Sequence, residues 1–208
     1  MRSLKIWTGP VASEKTTRAL RHARRLLRRG HDIPWVIRPT KSVRDHEKDE
    51  EGICTGYLVT KAKEKFPSTE CETIAGILAA ASDCSVVWID EPMLFDEEPG
   101  VYDAVTEIRR TRTVLLSGCA ADSDLNPFKT SFPRLISVAD QVEFCRADCD
   151  GCGTLGVATR SICLIGKDEQ VLVGGEETYR PLCPRCWTKW MDGDVSSMLF
   201  TTAAAGSG

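Results

Sequence analysis

The sequence predicts an α/β protein with a parallel sheet between helices, followed by a small β-rich unit tied together by a metal. Three observations predict this. Short apolar runs alternate with helix-periodic stretches through residues 1–140. The first run passes through an octet with glycine and lysine into a helix, the outline of a phosphate-holding βα turn. Two Cys-x-x-Cys pairs stand near the end of the chain.

The 208 residues, 42% of them hydrophobic, suffice for one medium domain plus a small appendage. A net charge of −3 and a pI near 5.7 exclude the strongly basic class of nucleic-acid binders, so nucleic acid is not expected as a partner. The opening stretch MRSLKIWTGP lacks the apolar core of a signal peptide, and no run approaches the ~20 apolar residues of a membrane span. The expectation is a soluble, cytoplasmic protein with no membrane partner and with reduced thiols.

Residues 4–7 read as the first strand, ended by Gly9-Pro10. Residues 16–29 place Ala19, Leu20, Ala23, Leu26 and Leu27 on one helix face, with Gly30 as the stop. Arg18, Arg21, Arg24, Arg25, Arg28 and Arg29 cover the opposite face, which reads as solvated surface rather than a DNA or RNA contact. Further strands are expected at 34–37, 85–90 and 113–117, with helices at 73–82 and 102–110. The charged, weakly periodic segment 44–65 reads as a surface excursion. From residue 141 the texture changes to short β segments and a hairpin-like stretch at 157–175. Three regions follow: a core at 1–140, a metal-anchored domain at 141–190 and a flexible tail at 191–208. Residues 192–208, rich in small and polar types, are expected to hold little fixed structure.

The octet Gly9-Pro10-Val11-Ala12-Ser13-Glu14-Lys15-Thr16 matches the phosphate-loop pattern G-x-x-x-x-G-K-[ST] except at Glu14. In such a loop, backbone N–H groups hold phosphate oxygens, the lysine reaches the terminal phosphates and the hydroxyl meets Mg²⁺. Glutamate adopts glycine's backbone angles only at a cost, and its carboxylate repels a triphosphate. A plain βα turn capped by Ser13 shares this outline. The apolar strand Val86-Val87-Trp88-Ile89 ends in Asp90-Glu91, where a phosphate-loop enzyme keeps a metal-binding carboxylate and a proton acceptor.

Cys149 and Cys152, with Cys183 and Cys186, form the two Cys-x-x-Cys turns. Two residues between ligands let a tight turn aim both thiolates at one ion, and two turns complete a closed tetrahedral zinc site with a structural role. A redox motif needs only one such pair. The remaining cysteines (Cys54, Cys71, Cys84, Cys119, Cys145, Cys163) lack this spacing and read as small buried residues.

From Lys5 to about Trp187 the sequence resembles the type II thymidine kinases, the zinc-containing cellular and viral kind. Val171 to Cys186 resembles that family's I-G-G/A-x-x-x-Y-x-P-x-C-x-x-C ending. Ile89-Asp90-Glu91 followed by Phe95 resembles I-D-E-x-Q-F-F, and Gly118 through Pro127-Phe128 resembles its strand-end glycine to Pro-Phe segment. Ala139-Asp140-Gln141-Val142 resembles the A-D-x-V approach to the first cysteine pair, and Arg38-Pro39 with Arg44 resembles K-P-x-x-D-x-R.

The resemblance implies a RecA-like phosphate-loop core, a zinc-anchored lasso over the nucleoside and assembly as a homotetramer. It implies transfer of the ATP γ-phosphoryl group to the 5′-hydroxyl of thymidine or a related, modified pyrimidine deoxynucleoside. By position, Gly9, Ser13, Lys15, Thr16 and Thr17 would hold ATP, Thr16 and Asp90 would hold Mg²⁺, and Arg44 would lie near the phosphates. Glu91 would be the base. Val11, Met93, Cys119, Phe128, Arg160, Leu172, Gly174 and Tyr179 would line or close the nucleoside pocket. The segment 153–182 would then be the lasso, so losing the zinc should cost nucleoside binding more than nucleotide binding at Lys15. Several positions depart from the family: Glu14 for glycine, Met93 for glutamine, Val11 for methionine, Cys119 for leucine, Ser123 for phenylalanine and Ser42 for aspartate. These departures leave a second reading, a catalytically impaired relative acting as a binding or assembly module.

Overall fold

The computed structural model describes residues 2–33, 35–42, 48, 50, 56–60, 62–95, 100–128, 131–165, 174 and 178–200. The fold is mixed α/β with a mostly parallel central sheet. In chain order the elements are β1 (Leu4–Thr8), α1 (Lys15–Leu27), β2 (Val36–Pro39), β3 (Tyr57–Val59), β4 (Lys65–Cys71) and α2 (Ile74–Ala80). Next come β5 (Val86–Asp90), α3 (Gly100–Arg109), β6 (Thr113–Gly118), α4 (Phe132–Ser137) and β7 (Gln141–Phe144). The last are β8 (Arg160–Cys163), β9 (Tyr179–Leu182) and α5 (Pro184–Met191).

Seven strands form one sheet in the order β3-β4-β2-β5-β6-β1-β7. β1 and β6, β5 and β6, β2 and β5, and β2 and β4 pair in parallel, and β3 lies antiparallel to its neighbour β4. Parallel strands are covered on both faces, which is why β5 is buried along its whole length and β6 at all but its first residue. The register sets Thr8 beside Gly118 and Asp90 beside Ser117. The carboxyl ends of β1, β5 and β6 therefore share one edge, the edge where open α/β sheets bind ligands.

The first helix forms as its pattern requires. Ala19, Leu20 and Ala23 are fully buried, and the helix ends on Gly30, whose φ of 84° admits the left-handed cap. The Gly30 amide donates to the Leu27 carbonyl and the His31 amide to Leu26, closing a Schellman motif. The arginine face is partly neutralised: Arg18 pairs with Glu143 at 2.7 Å, Arg21 with Glu64 at 3.5 Å, and Arg24 also reaches Glu64.

Two stretches differ from the sequence expectation. The second strand runs two residues later, to Pro39, and buries Arg38 completely. Its guanidinium is satisfied by Glu70 at 3.1 Å and by the Tyr57 carbonyl at 3.3 Å. Within 44–65, read as a surface excursion, residues 57–59 form a strand, because Leu58 and, next along β4, Phe66 bury their side chains. Pro67 and the charges of KFPSTEC hide β4 from a pattern search.

The chain parts into two compact units. One comprises Met1–Thr8, Lys15–Ala120 and Phe128–Glu143, and the other Gly9–Glu14, Ala121–Pro127 and Phe144–Gly208. The second is built on the antiparallel β8–β9 ribbon and α5. Its core gathers Ala147, Cys149, Ala158, Ile162, Leu182, Cys183 and Cys186. Met198 is buried with them, and the Leu199 amide donates to the Gly151 carbonyl, so residues 192–200 carry more order than their composition implied. Among the described residues no helix is long and apolar enough to cross a membrane.

Candidate active site and metal centre

In the sheet unit, Thr16 on the first turn of α1 donates its hydroxyl to the Asp90 carboxylate, 3.1 Å from Oδ1 and 3.3 Å from Oδ2. Asp90 closes β5 and is buried. The Ser117 hydroxyl, from the paired position on β6, also donates to Asp90 Oδ1. Ser117 in turn accepts the indole N–H of Trp88 at 2.9 Å. A hydroxyl and a carboxylate are hard oxygen donors, the kind of set that suits a magnesium ion shared with phosphate oxygens.

Glu91 follows at φ 50° and ψ 49°, left-handed backbone that a non-glycine residue adopts at a cost. Its amide donates to the Ser117 carbonyl at 2.7 Å, and a 3₁₀ turn over Pro92–Leu94 begins directly after it. Strain of this kind gathers at sites where a side chain must be aimed. Met93 is buried against Gly118, where a Cβ would lie 2.9 Å from its sulfur and 3.1 Å from Pro92 Cδ. Glycine is therefore required at the end of β6. Lys15, Cys119 and Phe128 are half-buried and Thr17 is buried on α1.

In the other unit, the loop Gly9–Glu14 is held by its own contacts. Gly9 has φ 156°, and a Cβ there would come within 2.3 Å of the Cys145 carbonyl oxygen. The Ser13 hydroxyl donates to the Pro10 carbonyl at 2.8 Å, and the Val11 amide donates to Ser161 Oγ at 3.0 Å. Ala12 and Glu14 both adopt φ 60°. Glu14 thus keeps the left-handed backbone that glycine takes freely, with its side chain exposed.

Arg160 on β8 stacks its guanidinium 4.8 Å from the Trp187 ring, and the Trp187 indole donates to the Ser123 carbonyl at 3.3 Å. Tyr179 lies on β9 opposite Cys163. Gly174 allows close approach of Thr178, whose Oγ1 would lie 2.2 Å from an added Cβ. Arg44 and Leu172 lie outside the described residues.

The sulfurs of Cys149, Cys152, Cys183 and Cys186 all lie within 4.8 Å of one another, the one such group found among the described residues. The Cys183 amide donates to Cys149 Sγ at 3.2 Å and the Cys186 amide to Cys183 Sγ at 3.5 Å. Cys183 also caps α5, so the sulfurs sit at the positive end of a helix. Hydrogen bonding from Thr154 holds the Cys152 thiol down at about 6, whereas burial pushes Cys149 and, further, Cys186 upward. Thiols of this kind lose their protons to solvent when they bind a dication, and the group is compatible with a structural zinc ion. Gly151 serves the knuckle, since a Cβ there would come 2.9 Å from Cys186 Cβ. The other described cysteines stay apart from it, with Cys71, Cys84 and Cys145 buried.

Three partners were missed by the sequence reading: Ser117, Trp88 and Ser161. Their one sequence signal was a serine near the end of the apolar run TVLLSG.

The family model described as "Thymidine kinase" matches residues 2–187. The thymidine kinase of Porphyromonas gingivalis is 31% identical over 188 residues, covering 90% of this chain and 85% of that protein. That of Bacteroides thetaiotaomicron is 29% identical over 187 residues, with 89% and 87% covered. The Halobacterium salinarum protein of the same name is 32% identical over 194 residues, with 88% and 92% covered. With the family model spanning all but the two ends of the chain, this protein belongs to the thymidine kinase family.

Proposed function

We propose that this protein is an ATP-dependent nucleoside kinase that moves the γ-phosphoryl group of ATP to the 5′-hydroxyl of thymidine or a closely related, modified pyrimidine deoxynucleoside. The observation that carries the reading is the hydrogen bond from Thr16 to the buried Asp90, followed directly by Glu91 at the carboxyl edge of a parallel sheet. Mg²⁺, when bound with ATP, would neutralise phosphate charge. Thr16 and Asp90 would hold that ion. Lys15 offsets charge on the transferring group, and the loop from Gly9 through Ser13, with Thr17, shapes the phosphate cradle at the start of α1. Arg44 is assigned to the phosphates by family resemblance. Glu91 accepts the 5′-hydroxyl proton as the new O–P bond forms and the bond from the γ-phosphorus to the bridging oxygen breaks, releasing ADP.

Val11, Met93, Cys119, Phe128, Arg160, Leu172, Gly174 and Tyr179 are the proposed nucleoside contacts. The four cysteines would carry zinc as a clamp on the two ends of the covering segment 153–182. A cytoplasmic homotetramer completes the proposal. A coupled ATP-consumption assay across a panel of nucleosides tests it. Turnover is expected with thymidine or another pyrimidine deoxynucleoside, and no turnover with any nucleoside overturns it.

Glu14→Gly relieves left-handed strain of about 1 kcal/mol and removes a carboxylate beside the phosphate chain. It is expected to tighten ATP binding by about three- to ten-fold. Calorimetric titration with ATP·Mg²⁺ reads this, and equal or weaker affinity would mean a loop rebuilt for another ligand.

A further inference from the structure

The Thr16 hydroxyl now donates to Asp90, yet it must turn its oxygen outward to meet a cation. Asp90 then needs donors that stay in place. The chain Trp88–Ser117–Asp90 supplies one. Trp88 and Asp90 are two residues apart on β5 and share a face, and Ser117 is the register partner of Asp90 on β6. All three are buried, with Trp88 and Ser117 at 0% exposure. The indole N–H can only donate, so it occupies an acceptor position of Ser117 Oγ at 2.9 Å. The serine has one proton left to place, and it goes to Asp90 Oδ1. The direction of the chain is therefore fixed by the indole. The edge of Phe66 packs against Trp88 with ring centroids 5.5 Å apart, which holds the indole plane.

We infer that Ser117, oriented by Trp88, is a positioning residue that holds the Asp90 carboxylate for the divalent cation. This rests on the kinase reading, in which Asp90 is an ion ligand. Thr16 can release its bond without freeing the carboxylate, because the bond from Ser117 persists.

The test is equilibrium binding of Mn²⁺, followed by electron paramagnetic resonance, to the intact protein with a non-hydrolysable ATP analogue. A hydrogen bond to a charged group is worth enough that Ser117→Ala should weaken Mn²⁺ binding about ten-fold. The affinity for the metal-free nucleotide should change less than about two-fold, and Ser117→Thr, which keeps the hydroxyl, should recover most of the loss. Trp88→Phe leaves the hydroxyl free to rotate and should cost Mn²⁺ binding about three-fold, which keeps the inference testable if Ser117→Ala fails to fold. Wild-type Mn²⁺ affinity in Ser117→Ala, or in Trp88→Phe where only that variant folds, overturns this inference and leaves the kinase reading standing. Failure of the wild-type protein to bind Mn²⁺ with the nucleotide overturns both.

Discussion

Glu91→Gln is expected to lower kcat by about 10²–10⁴-fold, the usual contribution of a positioned general base. Glutamine matches the side chain in size but cannot accept the hydroxyl proton. The local structure should survive. The turn at this position is held by the backbone, through the Glu91 amide to Ser117 and the 3₁₀ turn over Pro92–Leu94. Binding of ATP and nucleoside should change less than about three-fold, because neither the Thr16–Asp90 pair nor the phosphate loop is touched. Steady-state kinetics on the best nucleoside of the panel read both constants. Activity within about ten-fold of wild type would remove Glu91 from the base role.

The second large effect is at the metal centre. Cys183 supplies a sulfur, caps α5, donates its amide to Cys149 and directly follows β9. Structural zinc contributes on the order of 10–16 kcal/mol in small zinc modules, far more than a unit of this size can lose. Cys183→Ser is expected to drop bound zinc from about one per chain to near none. The near-ultraviolet circular dichroism of Trp187 and Trp190, which pack on the cysteine cluster, should collapse with it. The sheet unit, with its own buried core, should keep its helical signal. Nucleotide binding should fall as well. The sequence alone suggested that nucleotide binding would be the less affected function. The structure puts Gly9–Glu14 in the unit that holds the four cysteines, with Val11 bonded to Ser161 and Gly9 against Cys145. Retained zinc in Cys183→Ser, or unchanged nucleotide affinity in a zinc-free variant, would contradict this account.

The features legible in the sequence are those set by local rules. The Cys-x-x-Cys turns span four residues each, and a knuckle of that size is written in its own spacing. The α1 face and its Gly30 stop follow from helical periodicity and a left-handed cap. Asp90-Glu91 was visible as an acidic end to an apolar strand, the place where a phosphate-loop enzyme keeps a metal-binding carboxylate and a proton acceptor. What escaped depends on partners remote in the chain. Ser117 gains its role only once β6 lies beside β5 in a register that sets it opposite Asp90, 27 residues away. Ser161 meets Val11 across 150 residues. The burial of Arg38 depends on Glu70, from a strand disguised by Pro67, coming alongside to satisfy it.

The loop Gly9–Glu14, the proposed phosphate loop, lies near the beginning of the chain, yet its contacts come from residues made far later. During synthesis β1 and α1 can form early, since domains condense as the chain emerges. The loop between them cannot settle until Cys145 and Ser161 have left the ribosome and the cysteine knuckle has closed behind them. A nascent chain therefore lacks these partners of the loop until about its last quarter exists, and a fragment ending near residue 140 would contain neither Cys145 nor Ser161.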